Sequence, residues 1–292
     1  MTHQPNSTFP KAFVCGWPIE QSRSPVIHSY WLNKYDMKGS YEKIAIEPSA
    51  FPDFLNSLKQ KNFVGGNITL PHKETALKNV DRLDDAAMKI GAVNTLWFEG
   101  NELVGGNTDW IGFAANLDQI EPGWDSQEYL DKPVLVLGAG GAARGILYAL
   151  MQRGFQKIFL ANRTFEKAAK LAKEFGPGIN AISMDELGGV PGEIGLLVNT
   201  TSLGMAGKQS LPKTVIALIG RLDESTIIND IVYIPLQTEL LKLASQNGMK
   251  TVDGLGMLLH QAVPGFEKWF GVKPQVTEEL RISIVADIEA NR

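Results

Sequence analysis

Val134-Leu135-Val136-Leu137-Gly138-Ala139-Gly140-Gly141-Ala142-Ala143 is the stretch that decides the fold. Four consecutive apolar residues read as a strand buried on both faces, the signature of a parallel sheet. Gly138 permits the tight turn that follows, Gly140 lets backbone approach a pyrophosphate, and Ala143 lets the next helix pack on the strand. The helix predicted from about Gly141 to Gln152 aims its unpaired N–H groups and positive dipole end at phosphates.

A lone glycine turn between strand and helix is common in α/β proteins, so the next strand carries more information. Ile158-Phe159-Leu160 ends in Asn162-Arg163-Thr164. An NAD site usually places an Asp or Glu here to accept the ribose 2′-OH. A carboxylate would repel a 2′-phosphate, whereas a guanidinium grips it through charge-assisted, often bidentate, hydrogen bonds. Lys167 follows Arg163 by four residues, which on a helix would put both cations on one face. The cofactor predicted is NADP. The plainer alternative makes Arg163 and Lys167 solvated residues of an amphipathic helix.

The 292 residues are 44% hydrophobic and 21% charged, with a net charge of −4. That is an ordinary globular composition, long enough for two domains with separate cores. An isoelectric point near 5.7 argues against general nucleic-acid binding. The single cysteine, Cys15, excludes an intramolecular disulfide, and it and the four histidines lack metal-ligand spacing, so no metal is expected. Met1 to Pro10 carries no apolar leader, and no later run approaches the roughly 18 apolar residues of a membrane span. A cytoplasmic enzyme is the expectation, with no membrane partner. The sequence leaves the oligomeric state open, a homodimer being the form considered.

Strand and helix alternate ahead of the glycine turn too. Ala12–Cys15 and Tyr41–Ile46 read as strands, with a helix through Val26, Ile27, Tyr30 and Trp31 between them. Phe51 to Leu58 reads as helix and Asn67 to Leu70 as a strand stopped by Pro71. Ala92–Trp97 and Glu102–Val104 read as a hairpin around Glu99-Gly100-Asn101, and Trp110 to Leu117 as a bridging helix. Later strands are predicted at Ile194–Val198 and Thr226–Asp230, then helices broken at Gly254, Gly265 and Gly271. The predicted fold is α/β throughout: an N-terminal substrate domain, residues 1–109 with 254–292, and a Rossmann-type doubly wound domain, 110–253. The C-terminal helices return to the first domain. Gly105-Gly106 and Gly254 would permit a hinge.

Ligands of open α/β sheets bind beyond the carboxyl ends of strands, so polar residues following apolar runs are the candidates. Thr69 and Lys73, Asn94, Asn107 and Asp109 meet that test, as do Ser22 and Ser24 at a helix start. The plainer reading makes either serine an N-cap ahead of Pro25, and a lone lysine on a helix is ordinarily solvated. Order is what lifts them above the plain readings. Ser22-Arg23-Ser24-Pro25, Gly66-Asn67-Ile68-Thr69-Leu70-Pro71-His72-Lys73, Gly91-Ala92-Val93-Asn94-Thr95, Gly106-Asn107-Thr108-Asp109, the glycine turn, Asn162-Arg163-Thr164, Asn199-Thr200-Thr201-Ser202-Leu203-Gly204-Met205 and Asp253-Gly254-Leu255-Gly256-Met257 before Gln261 follow one another. Together they resemble the shikimate dehydrogenase family over roughly Val14 to Gln261. One departure is Gln21, where the family often has His.

The resemblance implies reversible NADPH-dependent reduction of the C3 carbonyl of 3-dehydroshikimate to shikimate, a step of chorismate and aromatic amino acid biosynthesis. It implies Lys73 as proton donor and acceptor, with Asp109 orienting it; a structural ion pair is the plainer reading of the two. Ser22, Ser24 and Tyr233 would take the substrate carboxylate, and Thr69, Asn94, Asp109 and Gln261 the ring hydroxyls. Gly138, Ala139, Gly140, Gly141 and Ala142 would cradle the pyrophosphate. Asn162, Arg163, Thr164 and Lys167 would hold the 2′-phosphate, Ile231 and Gly254 would face the nicotinamide, and the family places a cofactor contact at Asp85. His72 and His260, which adjoin these motifs, read as structural. Competing readings are a quinate/shikimate dehydrogenase using NAD, disfavoured by Arg163; a glutamyl-tRNA reductase, disfavoured by the predicted strand position of Cys15 and the acidic balance; and a non-catalytic NADP-binding regulator, which would have no need of Lys73 and Asp109.

Overall fold

The computed structural model describes residues 9–205 and 210–291; most of the polar stretch Met1 to Pro10 lies outside them. The chain divides into two compact units, 1–108 with 261–292 and 109–260. The first begins with β1 (Lys11–Gly16), α1 (Ser24–Lys34), β2 (Ser40–Ala45), α2 (Phe51–Asn56) and β3 (Phe63–Ile68). It continues with α3 (Lys73–Leu77), β4 (Arg82–Leu83), α4 (Asp85–Ile90), β5 (Thr95–Glu99) and β6 (Glu102–Gly106). Its six strands lie in the order β2-β1-β3-β5-β6-β4. β1 pairs in parallel with β2 and β3, while β5 runs antiparallel to both β3 and β6.

β3 starts four residues before the predicted strand and takes in Gly65 and Gly66. A Cβ at Gly65 would come within 2.2 Å of the Leu96 carbonyl oxygen and 2.3 Å of Trp269 Nε1. The glycine thus lets a large indole reach the strand, and Trp269 Nε1 donates to that carbonyl at 2.8 Å. Gly105 and Gly106, expected as a hinge, are buried in β6, where Cβ atoms would meet Val93, Asp84 and Trp97. Close packing, not freedom, is what they supply.

The second unit comprises α5 (Asp109–Ile120), α6 (Gln127–Leu130), β7 (Val134–Leu137), α7 (Gly141–Gln152), β8 (Ile158–Asn162), α8 (Phe165–Phe175) and β9 (Ile179–Ser183). β10 (Leu196–Asn199), α9 (Lys213–Ile219), β11 (Ile227–Asp230), α10 (Glu239–Gln246), β12 (Lys250–Val252) and α11 (Leu255–His260) complete it. All pairings in this sheet are parallel, in the order β12-β11-β10-β7-β8-β9. That is the doubly wound dinucleotide order, reversing between β7 and β10. Alternate residues of β7 feed two cores: Val134 and Val136 pack toward α5 and α7, Leu135 and Leu137 toward α9 and α10. Residues 254–260, expected with the first domain, fall here because α11 packs on α5; a Cβ at Gly256 would strike the Asn116 amide.

The chain then returns to the first unit as α12 (Ala262–Phe270) and α13 (Glu278–Ala290). Gly265, predicted to break a helix, sits inside α12, where a Cβ would lie 2.6 Å from the Trp269 ring. Gly271 ends the helix in the left-handed conformation, as a C-terminal glycine should.

α1 buries Ser24, Ile27, His28, Trp31 and Leu32, a stripe at helical spacing with a histidine in its centre. His28 stacks on Tyr41 at 4.0 Å, and Trp31, Phe266 and Trp269 complete the box. Neither ring nitrogen has a hydrogen-bond partner among the described residues. Burial drives its pKa down to about 3, against a smaller upward pull from Asn67. The unfolded chain takes up this proton near pH 6.5. His28 therefore contributes stability above that pH that is lost as pH falls toward 3, at about 1.4 kcal/mol per pH unit. Urea midpoints between pH 7 and pH 4 are expected to fall less steeply for His28→Phe than for the parent; parallel slopes would refute this account.

Candidate active site

In the first unit the site grows from the ends of β1 and β3 and the start of β5. Gly16 and Thr69 touch: a Cβ on Gly16 would lie 2.5 Å from the Thr69 methyl, and Thr69 N–H donates to the Cys15 carbonyl at 2.9 Å. Lys73 is the first residue of α3, half-buried, and its carbonyl accepts from Val93 N–H at 3.0 Å. That bond ties the lysine to the segment carrying Asn94. His72 before it is structural, as expected: buried, stacked on Phe51 at 4.3 Å and bonded through Nε2 to the Ile46 carbonyl at 2.7 Å. Burial lowers its pKa. Cys15 is likewise buried, which pushes its thiol well above the ordinary range.

Asn94 is held with its amide in one orientation. Its Oδ1 accepts from Thr108 N–H and from Thr95 Oγ1, both at 2.8 Å, and its Nδ2 donates to Thr108 Oγ1 at 3.2 Å. These bonds to protein partners fix which way the Asn94 amide faces. Thr108 Oγ1 also donates to the Gln261 carbonyl at 2.8 Å, bringing the last substrate candidate to the same place. Sequence reasoning assigns no role to Tyr41 or Asn67. The Tyr41 hydroxyl donates to Asn67 Oδ1 at 2.5 Å, and Asn67 Nδ2 donates to the Asn94 carbonyl at 3.2 Å. Their connection is across strands, so no local pattern reveals it.

Neither Ser22 nor Ser24 caps α1. The N-cap is Arg23, without a side-chain cap bond, and Ser24 is already helical and buried. The capping alternative is therefore not what the structure adopts. Arg23 itself pairs with Asp287 of α13 at 2.7 Å, anchoring the loop between the serines.

The second unit holds the nucleotide candidates. Gly138 has φ +101°, and a Cβ there would press on the Thr200 side chain. Gly140 and Gly141 face open space, so the turn is empty where a pyrophosphate needs room and filled where the fold needs a glycine. α7 starts from Gly140, which has no side chain to cap the first N–H groups. These features fit a dinucleotide phosphate.

Asn162 does something other than expected. Its Oδ1 accepts from Ala139 N–H at 3.2 Å and its Nδ2 donates to the Thr164 carbonyl at 2.8 Å, bracing the glycine turn against the basic turn. Arg163 precedes the N-cap Thr164, so it does not share a helical face with Lys167; both are exposed. Thr164 makes no side-chain cap bond. Ile231 and Gly254 are in backbone contact, with Ile231 O only 2.2 Å from the position a Gly254 Cβ would take.

Not every candidate lies on the unit first assigned to it. Asp109 opens α5 in the second unit, with its Cβ 3.7 Å from the position a Gly145 Cβ would take. Tyr233 lies half-buried in the loop after β11. Asp85, by contrast, is an exposed residue of the first turn of α4 in the first unit. His260 bonds Gln119 at 2.7 Å, a structural contact.

A fully buried carboxylate escapes sequence reading. Asp230 ends β11 and accepts from Asn199 Nδ2 at 2.9 Å, Val232 N–H at 3.0 Å and Thr238 Oγ1 at 2.7 Å. Burial pushes its pKa up to about 6, with those three donors pulling it back.

A doubly wound parallel sheet with an open glycine cradle after its first strand is the architecture of a dinucleotide-binding protein. The sequence matches the shikimate dehydrogenase substrate binding domain over residues 14–96, shikimate / quinate 5-dehydrogenase over 125–205 and the shikimate 5′-dehydrogenase C-terminal domain over 254–278. The chain belongs to the shikimate dehydrogenase family. It is 52% identical to a shikimate dehydrogenase (NADP(+)) of Mesorhizobium japonicum, over 95% of this chain and 96% of that one. The shikimate 5-dehydrogenase of Thermus thermophilus, solved with NADP(H) and shikimate, superposes with TM-score 0.81 at 34% identity, covering 95% of this chain and 99% of that one. A quinate dehydrogenase of Corynebacterium glutamicum solved with NAD superposes at 0.84 with 26% identity, over 95% and 99%. Among the described residues no helix is long and apolar enough to cross a membrane.

Proposed function

We propose that the chain catalyses reversible NADPH-dependent reduction of 3-dehydroshikimate to shikimate, an oxidoreductase step of chorismate biosynthesis. The observation that carries this reading is the gathering of Thr69, Lys73, Asn94 and Gln261 on one network of strand ends, in a chain whose other unit presents Arg163 where an NAD enzyme presents a carboxylate. NADPH, when bound, supplies the hydride. Negative charge then grows on the former carbonyl oxygen, and Lys73 lowers the barrier by donating its Nζ proton there; oxidation of shikimate reverses the transfer. In this reading Asp109 orients the lysine.

Ser22, Ser24 and Tyr233 take the carboxylate end of the substrate, and Thr69, Asn94, Asp109 and Gln261 its hydroxyls. The bonds that Thr95 and Thr108 make to Asn94 Oδ1 hold its amide in one orientation for that role. Gly138 to Ala142 hold the pyrophosphate, Arg163, Thr164 and Lys167 the 2′-phosphate, with Asn162 bracing them. Ile231 and Gly254 line the nicotinamide end, and Asp85 is a further cofactor contact. The reading places the enzyme in the cytoplasm and allows a homodimer, which light scattering on the purified protein would read directly.

The test is a two-by-two assay of shikimate and quinate against NADP+ and NAD+, followed by nicotinamide absorbance. Turnover is expected to be greatest with shikimate and NADP+. Activity confined to quinate with NAD+ would overturn both substrate and cofactor, and nucleotide binding with no turnover would favour a regulator.

A further inference from the structure

Three adjacent strands of the second unit end in one buried row of hydrogen bonds. Thr200 Oγ1 donates to the carbonyl of Leu137 at 2.8 Å, and its N–H to the same oxygen at 2.8 Å, gripping the glycine turn from beneath. Next to it, Asn199 Oδ1 accepts from Thr201 Oγ1 at 2.6 Å while Nδ2 donates to Asp230 at 2.9 Å. Asp230 passes the row on to Val232 N–H and to Thr238, the N-cap of α10. The loop held between those last two points carries Tyr233, and Ile231 lies just ahead of it in the chain.

We infer that Asp230 is a positioning residue, which fixes the 231–238 loop relative to the glycine turn and so sets where the nicotinamide end of the cofactor and the substrate-facing Tyr233 come to rest. This rests on the functional reading above. A carboxyl group is suited to the task because the site supplies three donors and needs an acceptor for each. Asparagine would serve nearly as well: its oxygen accepts from Asn199 and Val232, and its amino group donates to a Thr238 hydroxyl turned to accept. Alanine would leave three buried donors unpaired.

The test separates the two ends of the cofactor. Binding of NADP+ and of adenosine 2′,5′-bisphosphate, which lacks the nicotinamide half, is measured by calorimetry for the parent, Asp230→Asn and Asp230→Ala, alongside steady-state kinetics. Asp230→Ala is expected to weaken NADP+ by about tenfold and to raise the shikimate KM. The bisphosphate affinity is expected to stay within about twofold, and Asp230→Asn to restore both toward the parent. If Asp230→Ala does not fold, Thr238→Val, with Thr238→Ser as its rescue, carries the same comparison, expected at about threefold. Equal losses for both nucleotides, or no loss for either, would overturn the role of Asp230 while leaving the enzyme reading intact. A parent that binds neither nucleotide would instead overturn the enzyme reading.

Discussion

Lys73→Ala is expected to lower kcat with saturating shikimate and NADP+ by about 10²–10⁴-fold, the usual contribution of a positioned acid–base group. Lys73 is half-buried at the first position of a five-residue helix, so its removal opens no core cavity and the melting temperature is expected to hold. The shikimate KM is expected to move far less than kcat, because the proton is needed as charge develops on the oxygen and not when the substrate docks. Lys73→Arg is expected to be nearly as poor: it keeps the charge but cannot give up its proton near neutral pH. Near-normal turnover of Lys73→Ala would remove the lysine from the chemistry and leave it a binding group.

Arg163→Ala is expected to raise the KM for NADP+ by about 10- to 100-fold, the loss of charge-assisted bonds to a dianionic group. NAD+, which has no 2′-phosphate, is expected to be used as well by the variant as by the parent. The ratio of the two specificity constants is thus the quantity to follow. A parallel fall for both cofactors would mean that Arg163 supports the fold of the turn and does not read the phosphate. Because Asn162 braces that turn independently of Arg163, the parallel outcome is not expected.

Where the sequence can be read, the information is local. β7, the glycine turn and α7 are contiguous, and their boundaries follow from one apolar run and three small residues. Elements that escape reading are short or mixed edge strands: β4 has two residues, β12 three, and β9 places Asn180 and Ser183 among apolar positions. Glycines mislead in a consistent way. Gly265 reads as a helix break and Gly105-Gly106 as a hinge, yet each lies inside a regular element where side chains pack against it.

The candidate site divides along the same line. Lys73, Thr69 and Asn94 draw attention as candidates because each follows an apolar run, but the residues that hold them do not. Tyr41 reaches Asn67 from 26 positions away, and Gln261 meets Thr108 across 153. Asp230 hides for another reason: an acid at the end of an apolar strand looks like the start of a loop until its three donors are seen.

The first unit is assembled from both ends of the chain, and this has a consequence for synthesis. Trp269 donates to Leu96, Trp31 Nε1 to the carbonyl of Gln275, and Phe266 packs against Trp31. Until those late residues emerge from the ribosome, β3, β5 and the aromatic face of α1 lack the side chains that cover them. The nucleotide unit is continuous from 109 to 260 and needs no such wait. The half translated first is therefore the half finished last, and its apolar face is the surface a nascent-chain chaperone would meet.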